Sequence, residues 1–127
     1  MILIIEPSTE LANTISDNLL RQGLDSVVAN SVADSISLAD EVKVDLVIIE
    51  LLMPKHNGLE FIYEFRSYED WWNVPIIIYT HLTAQELGLN EQLSAEMGVV
   101  EYFYKPNTSQ KRLALTAEFY LKKHEAN

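Results

Sequence analysis

Residues 45–58 read Asp45-Leu46-Val47-Ile48-Ile49-Glu50-Leu51-Leu52-Met53-Pro54-Lys55-His56-Asn57-Gly58. From Val44 to Ile49 the chain is apolar but for Asp45 and rich in β-branched residues, the pattern of a strand buried on both faces. It stops at a carboxylate, Glu50, and runs on through Leu51-Leu52-Met53-Pro54 to the turn signal Asn57-Gly58. Helical spacing follows, with Leu59, Ile62 and Phe65 on one side.

The same unit recurs on both sides of this stretch. Ile2 to Ile5 reads as a buried strand, and Ser8 or Thr9 caps a helix. That helix carries Leu11, Ile15 and Leu19 four apart and stops at Gly23. A weaker strand covers Ser26 to Ala29, and Ser31 caps a second helix with Val32, Ile36 and Ala39 inward. Val74 to Tyr79 is another apolar run. Thr83 caps a fourth helix carrying Leu89, Leu93 and Met97, which Gly98 ends. Val99 to Tyr104 is the last strand, and a final helix spans Ser109 to Lys123 with Leu113, Ala117, Tyr120 and Leu121 at core spacing. Five repeats of strand then helix predict an α/β fold with a parallel sheet covered on both faces, because parallel neighbours need crossover connections. Residues 1–127 read as one domain, with no linker or low-complexity stretch.

Composition narrows the function. Apolar residues make up 48% of the chain, which supplies a core and excludes a disordered tail. The formal net charge of -10 repels phosphate backbones and anionic lipid surfaces, so neither nucleic acid nor membrane is expected as partner. The absence of cysteine excludes disulfides, thiolate metal sites and cysteine catalysis. Met1 to Ile5 is too short for a signal sequence, and no apolar run reaches membrane-spanning length. A cytoplasmic location is the expectation.

Ligands of open parallel sheets sit beyond the carboxyl ends of the strands. The residues there are Glu6, Glu50, Thr80 and Lys105. Strand ends meet water, which accounts for any one of them. Two carboxylates, a hydroxyl and an amine at four strand ends are better explained as a site or the remnant of one.

These motifs, in this order and spacing, resemble the receiver domain of two-component response regulators across essentially the whole chain. The segment Asp45 to Pro54 with Asn57-Gly58 is similar to the family's third strand and phosphoacceptor loop. Pro75 to Thr80 resembles the fourth strand with its switch hydroxyl, and Gly98 to Tyr102 with Lys105-Pro106 resembles the fifth strand with its switch aromatic and lysine. The resemblance implies a flavodoxin-like (βα)5 three-layer sandwich with strand order 2-1-3-4-5. It also implies a cis peptide bond at Lys105-Pro106, and a partner or dimer face made by the fourth helix, fifth strand and last helix.

The departures act against one chemistry. Receivers carry two adjacent acids after the first strand, where this chain has Glu6-Pro7; their acceptor aspartate is Glu50 here, and the usual small residue after the switch hydroxyl is His81. The family's reaction is an in-line attack by a carboxylate on a phosphoryl group held by Mg²⁺. Pro7 removes one oxygen ligand. Glu50 moves the nucleophile outward by about 1.5 Å, and a displacement near 1 Å costs roughly 100-fold in rate. Mg²⁺ binding is therefore expected to be lost or weak, and no other cofactor is implied. Glu50 is long enough to pair with Lys105. This pair is either a structural neutralisation of the lysine or a mimic of the phosphorylated state that biases Thr80 and Tyr102.

The leading expectation is a pseudo-receiver, not an enzyme, that signals by protein interaction independent of phosphorylation. The alternatives are a phosphorylated regulator with a non-standard acceptor, and a small-ligand sensor. On the partner face, Tyr102 sits at the switch-aromatic position, Tyr104, Leu115 and Phe119 offer apolar anchors, and Glu86, Glu91 and Glu96 favour a basic partner rim. Of Trp71 and Trp72, one is expected to pack on the domain and one to be half exposed. His56 and His124 read as solvated, and the three histidines lack metal-ligand spacing.

Overall fold

The computed structural model describes residues 1–126, without the side chains of Leu93 and residues 124–126; the expectations for Leu93 and His124 lie outside the described residues. Five strands, β1 (Ile2–Ile5), β2 (Ser26–Ala29), β3 (Leu46–Ile49), β4 (Ile76–Thr80) and β5 (Val99–Tyr104), form one sheet in the order β2-β1-β3-β4-β5. Every neighbouring pair is parallel. The expected architecture and strand order are those observed.

Alternation along the strands divides the core into two layers. Leu3, Ile5, Val47, Ile49, Ile76 and Ile78 face α2 (Val32–Glu41) and α3 (Gly58–Arg66). Ile2, Ile4, Leu46, Ile48, Ile77 and Tyr79 face α1 (Thr9–Arg21) and the last helix (Gln110–Ala126). Two-sided burial is why these strands are apolar throughout. Helix starts are set by side-chain caps: Ser8, Ser31 and Asn57 each accept from a backbone N–H three residues on, worth about 1 kcal/mol each.

Three local expectations are corrected. Asn57-Gly58 is a helix start, not a separate turn: Asn57 caps α3 and Gly58 is its first residue. The fourth helix is two pieces, α4 (Ala84–Leu87) and α5 (Glu91–Glu96), which makes the last helix α6. Thr83 and Glu86 form a reciprocal capping box at the start of α4, and Gly88 closes it at φ +69°, a left-handed conformation that ends a helix. Lys105-Pro106 is trans, as are all peptide bonds among the described residues. Pro106 lies at the start of a 3-10 turn, Lys105–Asn107, where its fixed φ and missing N–H suit the first helical positions.

One tie has no signature in the side-chain pattern. Arg66, at the end of α3, donates from Nε to the Met97 carbonyl at 2.8 Å and from Nη1 to the Trp71 carbonyl at 2.6 Å. Its Nη2 donates to the Val74 carbonyl and, at 3.2 Å, to that of Gly98. One guanidinium thus joins α3 to the entries of β4 and β5. Burial lowers its pKa to about 10. Trp71 packs against Phe65 and is buried, whereas Trp72 is 66% exposed.

Candidate functional site

Register brings the strand ends together. Ile5 pairs with Ile49, so Glu6 and Glu50 leave the sheet side by side; Thr80 pairs with Tyr104, which places Lys105 one strand further on. The side chain of Lys105 reaches back across β4. Its Nζ donates to Glu6 Oε1 at 2.6 Å and to Glu50 Oε1 at 2.8 Å. All three side chains are at most 7% exposed. The ammonium lies over the Tyr79 ring, 5.5 Å from its centre.

The remaining carboxylate oxygens are also engaged. Glu6 Oε2 accepts from the Ser8 N–H at 3.0 Å, and Glu50 Oε2 accepts from the Leu52 N–H at 3.0 Å. Glu50 Oε1 has a further, longer contact with the His81 N–H at 3.4 Å, and His81 Nδ1 lies 3.7 Å away. Burial pushes the Glu50 carboxyl up, but hydrogen bonds from the Leu52 N–H, Lys105 and Thr80, with the Lys105 charge, outweigh it and hold the carboxyl below its ordinary value. Pro7 contributes neither side-chain oxygen nor N–H. Gly58 is what lets the start of α3 lie on the Glu50 loop: a Cβ there would fall 2.8 Å from the Glu50 carbonyl oxygen and 2.9 Å from Leu51 Cα.

Thr80 is buried beside Glu50, and its Oγ1 accepts from the Leu82 N–H at 3.3 Å. Tyr102 turns inward and donates to the Leu82 carbonyl at 2.7 Å. Burial, then the charges of Glu50 and Glu86, push its hydroxyl up to about 12. Thr80 and Tyr102 thus hold the Thr80–Leu82 turn from two sides. His81 projects into solvent at the pocket mouth, 61% exposed.

Glu6, Glu50, Thr80, His81 and Lys105 therefore come together, with Pro7 beside them. Tyr104, Leu115 and Phe119 lie outside the pocket; Leu115 and Phe119 are exposed on α6 and line a shallow groove of about 420 Å³ with Glu101, Lys111 and Arg112. The pairing of Glu6 with Lys105 has no local motif, since the two are 99 residues apart. His56 is exposed, as expected, and meets Glu60 Oε2 at 2.8 Å, an exposed contact of little energetic weight.

The family model for the response regulator receiver domain matches residues 2–117. The transcriptional regulatory protein CpxR of Klebsiella pneumoniae is 29% identical over 113 residues, which cover 89% of this chain and 46% of that protein. The chain thus spans about half the length of that curated relative. Among solved structures, a CheY-like receiver domain protein from Methanospirillum hungatei superposes with a TM-score of 0.84 at 18% identity, covering 98% of this chain and 95% of that one. Chemotaxis protein CheY4 of Vibrio cholerae gives 0.81 at 22% identity, covering 94% and 96%. At these identities the two structures speak to the fold alone. No helix among the described residues is long and apolar enough to cross a membrane.

Proposed function

The chain belongs to the response regulator receiver domain family, the signalling module of two-component systems, and on that premise we propose that it signals through protein contacts without being phosphorylated. The observation that carries this is the double occupancy of Lys105. The ammonium that meets the phosphoryl group in receivers is taken up by Glu6 and Glu50, both within 2.8 Å. An incoming phosphoryl group would have to displace two buried carboxylates from it, and leaving a buried charge without its partner costs about 3–5 kcal/mol.

The donor set does not fit Mg²⁺. That ion needs near-octahedral oxygen coordination with little tolerance. Pro7 supplies no oxygen, and both carboxylates already spend their oxygens on Lys105 and on backbone N–H groups.

A second observation bears on the signalling state. Thr80 is buried beside Glu50 and accepts from the Leu82 N–H, and Tyr102 is turned inward onto the Leu82 carbonyl. This favours the reading in which Glu50 itself holds the switch residues in one arrangement, over that of a pair that merely neutralises Lys105. The output surface in this proposal is the face of α4, α5, β5 and α6. Its acidic side carries Glu86, Glu91 and Glu96, and its other side carries Leu115, Phe119, Lys111 and Arg112, all exposed. A protein partner, or a second copy of this chain, would meet apolar anchors between opposite charges.

The test is a Mg²⁺ titration by calorimetry. The wild type should give no saturable heat, and Pro7→Asp with Glu50→Asp should restore it. Saturable binding by the wild type overturns the proposal.

A further inference from the structure

Trp72 takes no part in the pocket or the partner face, yet it is the most exposed large apolar side chain among the described residues. It lies at the opposite end of the sheet, where the loop from α3 to β4 meets the C-terminal half of α6. There Trp72, Pro75, Val100 and Tyr120 form the walls of a groove of about 230 Å³, with Arg66 and Lys123 also lining it. The charged side chains that line this groove are both basic, against the sign of the chain, and one carboxylate, Glu101, lies at its edge, where it accepts from the Tyr120 hydroxyl at 3.2 Å. The protein has 19 acidic and 9 basic side chains, but no carboxylate among the described residues lies within ion-pair distance of Arg66 or Lys123. All four hydrogen-bond partners of Arg66 are neutral carbonyls, which occupy four of its five N–H donors and leave its charge uncancelled.

Size and chemistry then limit the occupant. A cavity of about 150 Å³ holds one benzene, so this groove has room for a single aromatic ring with a short side chain and is too small to enclose a nucleotide. The aromatic walls suit a ring's face, and guanidinium with ammonium suits a carboxylate. We propose that the groove binds a small aromatic carboxylate, with its ring against Trp72, Pro75 and Tyr120 and its acid group drawn to Arg66 and Lys123. The site is separate from the Lys105 pocket and stands independently of how that pocket signals.

Trp72 is its own reporter. The full chain is titrated with phenylacetate and with neutral phenylacetamide, followed by tryptophan fluorescence and by calorimetry. The expected result is saturable phenylacetate binding with Kd on the order of 1 mM, and about ten-fold weaker binding of the amide. Lys123→Gln should weaken phenylacetate several-fold and leave the amide unchanged. Trp72→Phe should abolish the fluorescence response, since buried Trp71 remains as the internal reference. Arg66 is left intact because it ties three segments together. Absence of saturation, equal affinity for acid and amide, or indifference to Lys123→Gln would each overturn the assignment.

Discussion

Glu6 and Glu50 leave neighbouring strand ends and converge on one ammonium, that of Lys105, at 2.6 and 2.8 Å. Two buried carboxylates share a single cation, and each also accepts a backbone N–H. All four carboxylate oxygens are therefore engaged by groups of the chain itself.

Glu50→Gln tests what that engagement contributes to stability. The folded chain holds the Glu50 carboxyl below its ordinary 4.5. Just under pH 4.5 the unfolded chain therefore binds more protons than the folded one. The stabilisation is complete above that pH and is lost as pH falls through the folded value. At neutral pH the variant should lose about 1–3 kcal/mol, and the deficit should shrink on acidification. Urea unfolding at both pH values measures it; an equal deficit at both would mean that the charge of Glu50 contributes nothing.

Gly58→Ala tests the close approach of α3 to the Glu50 loop. The new methyl meets backbone atoms of Glu50 and Leu51 rather than a flexible side-chain end, so the loop or the helix must shift. A loss of about 1–3 kcal/mol is expected, read as a lower urea midpoint with an unchanged m-value. Unaltered stability would show that the contact is easily relieved.

The Tyr102 hydroxyl is raised to about 12 from an ordinary 10. Between those values the folded chain keeps a proton that the unfolded chain has lost, so its contribution is full below pH 10 and falls as pH rises. Tyr102→Phe should cost about 0.5–1.5 kcal/mol at neutral pH through the lost bond to Leu82. It should also flatten the alkaline decline in stability. A decline identical to that of the wild type would place Tyr102 outside the turn it is held to support.

The architecture was legible because each central strand is buried on both faces and so reads as an unbroken apolar run, as Ile2–Ile5 and Ile76–Ile78 do. The strand-end polar residues were legible for the same reason, since each interrupts such a run. The broken fourth helix was not: Leu89 and Met97 keep helical spacing, and only the left-handed backbone at Gly88 divides the segment. The Arg66 tie was invisible because its acceptors are carbonyls from segments 5 to 32 residues away, which carry no residue-type signal. The trans bond at Pro106 lies within a 3-10 turn, which the resemblance did not reveal.

The partner face can be separated from the fold. Phe119 is 58% exposed and Tyr104 half-buried at the sheet edge. Tyr104→Ala with Phe119→Ala should abolish dimerisation or partner binding, while Phe119→Ala alone changes stability by no more than about 0.5 kcal/mol. Trp72→Ala should leave association intact. Analytical ultracentrifugation and pull-down measure both; loss in the Trp72 variant with retention in the other would move the interface to the far end of the sheet.

The most direct test of the doubly paired Lys105 is labelling with radioactive acetyl phosphate in the presence of Mg²⁺, followed to stoichiometry by intact mass. The wild type should take up no phosphoryl group, whereas Pro7→Asp with Glu50→Asp should become labelled. Stoichiometric labelling of the wild type that disappears on Glu50→Gln would contradict the account, because Glu50 would then be an acceptor rather than the permanent partner of Lys105.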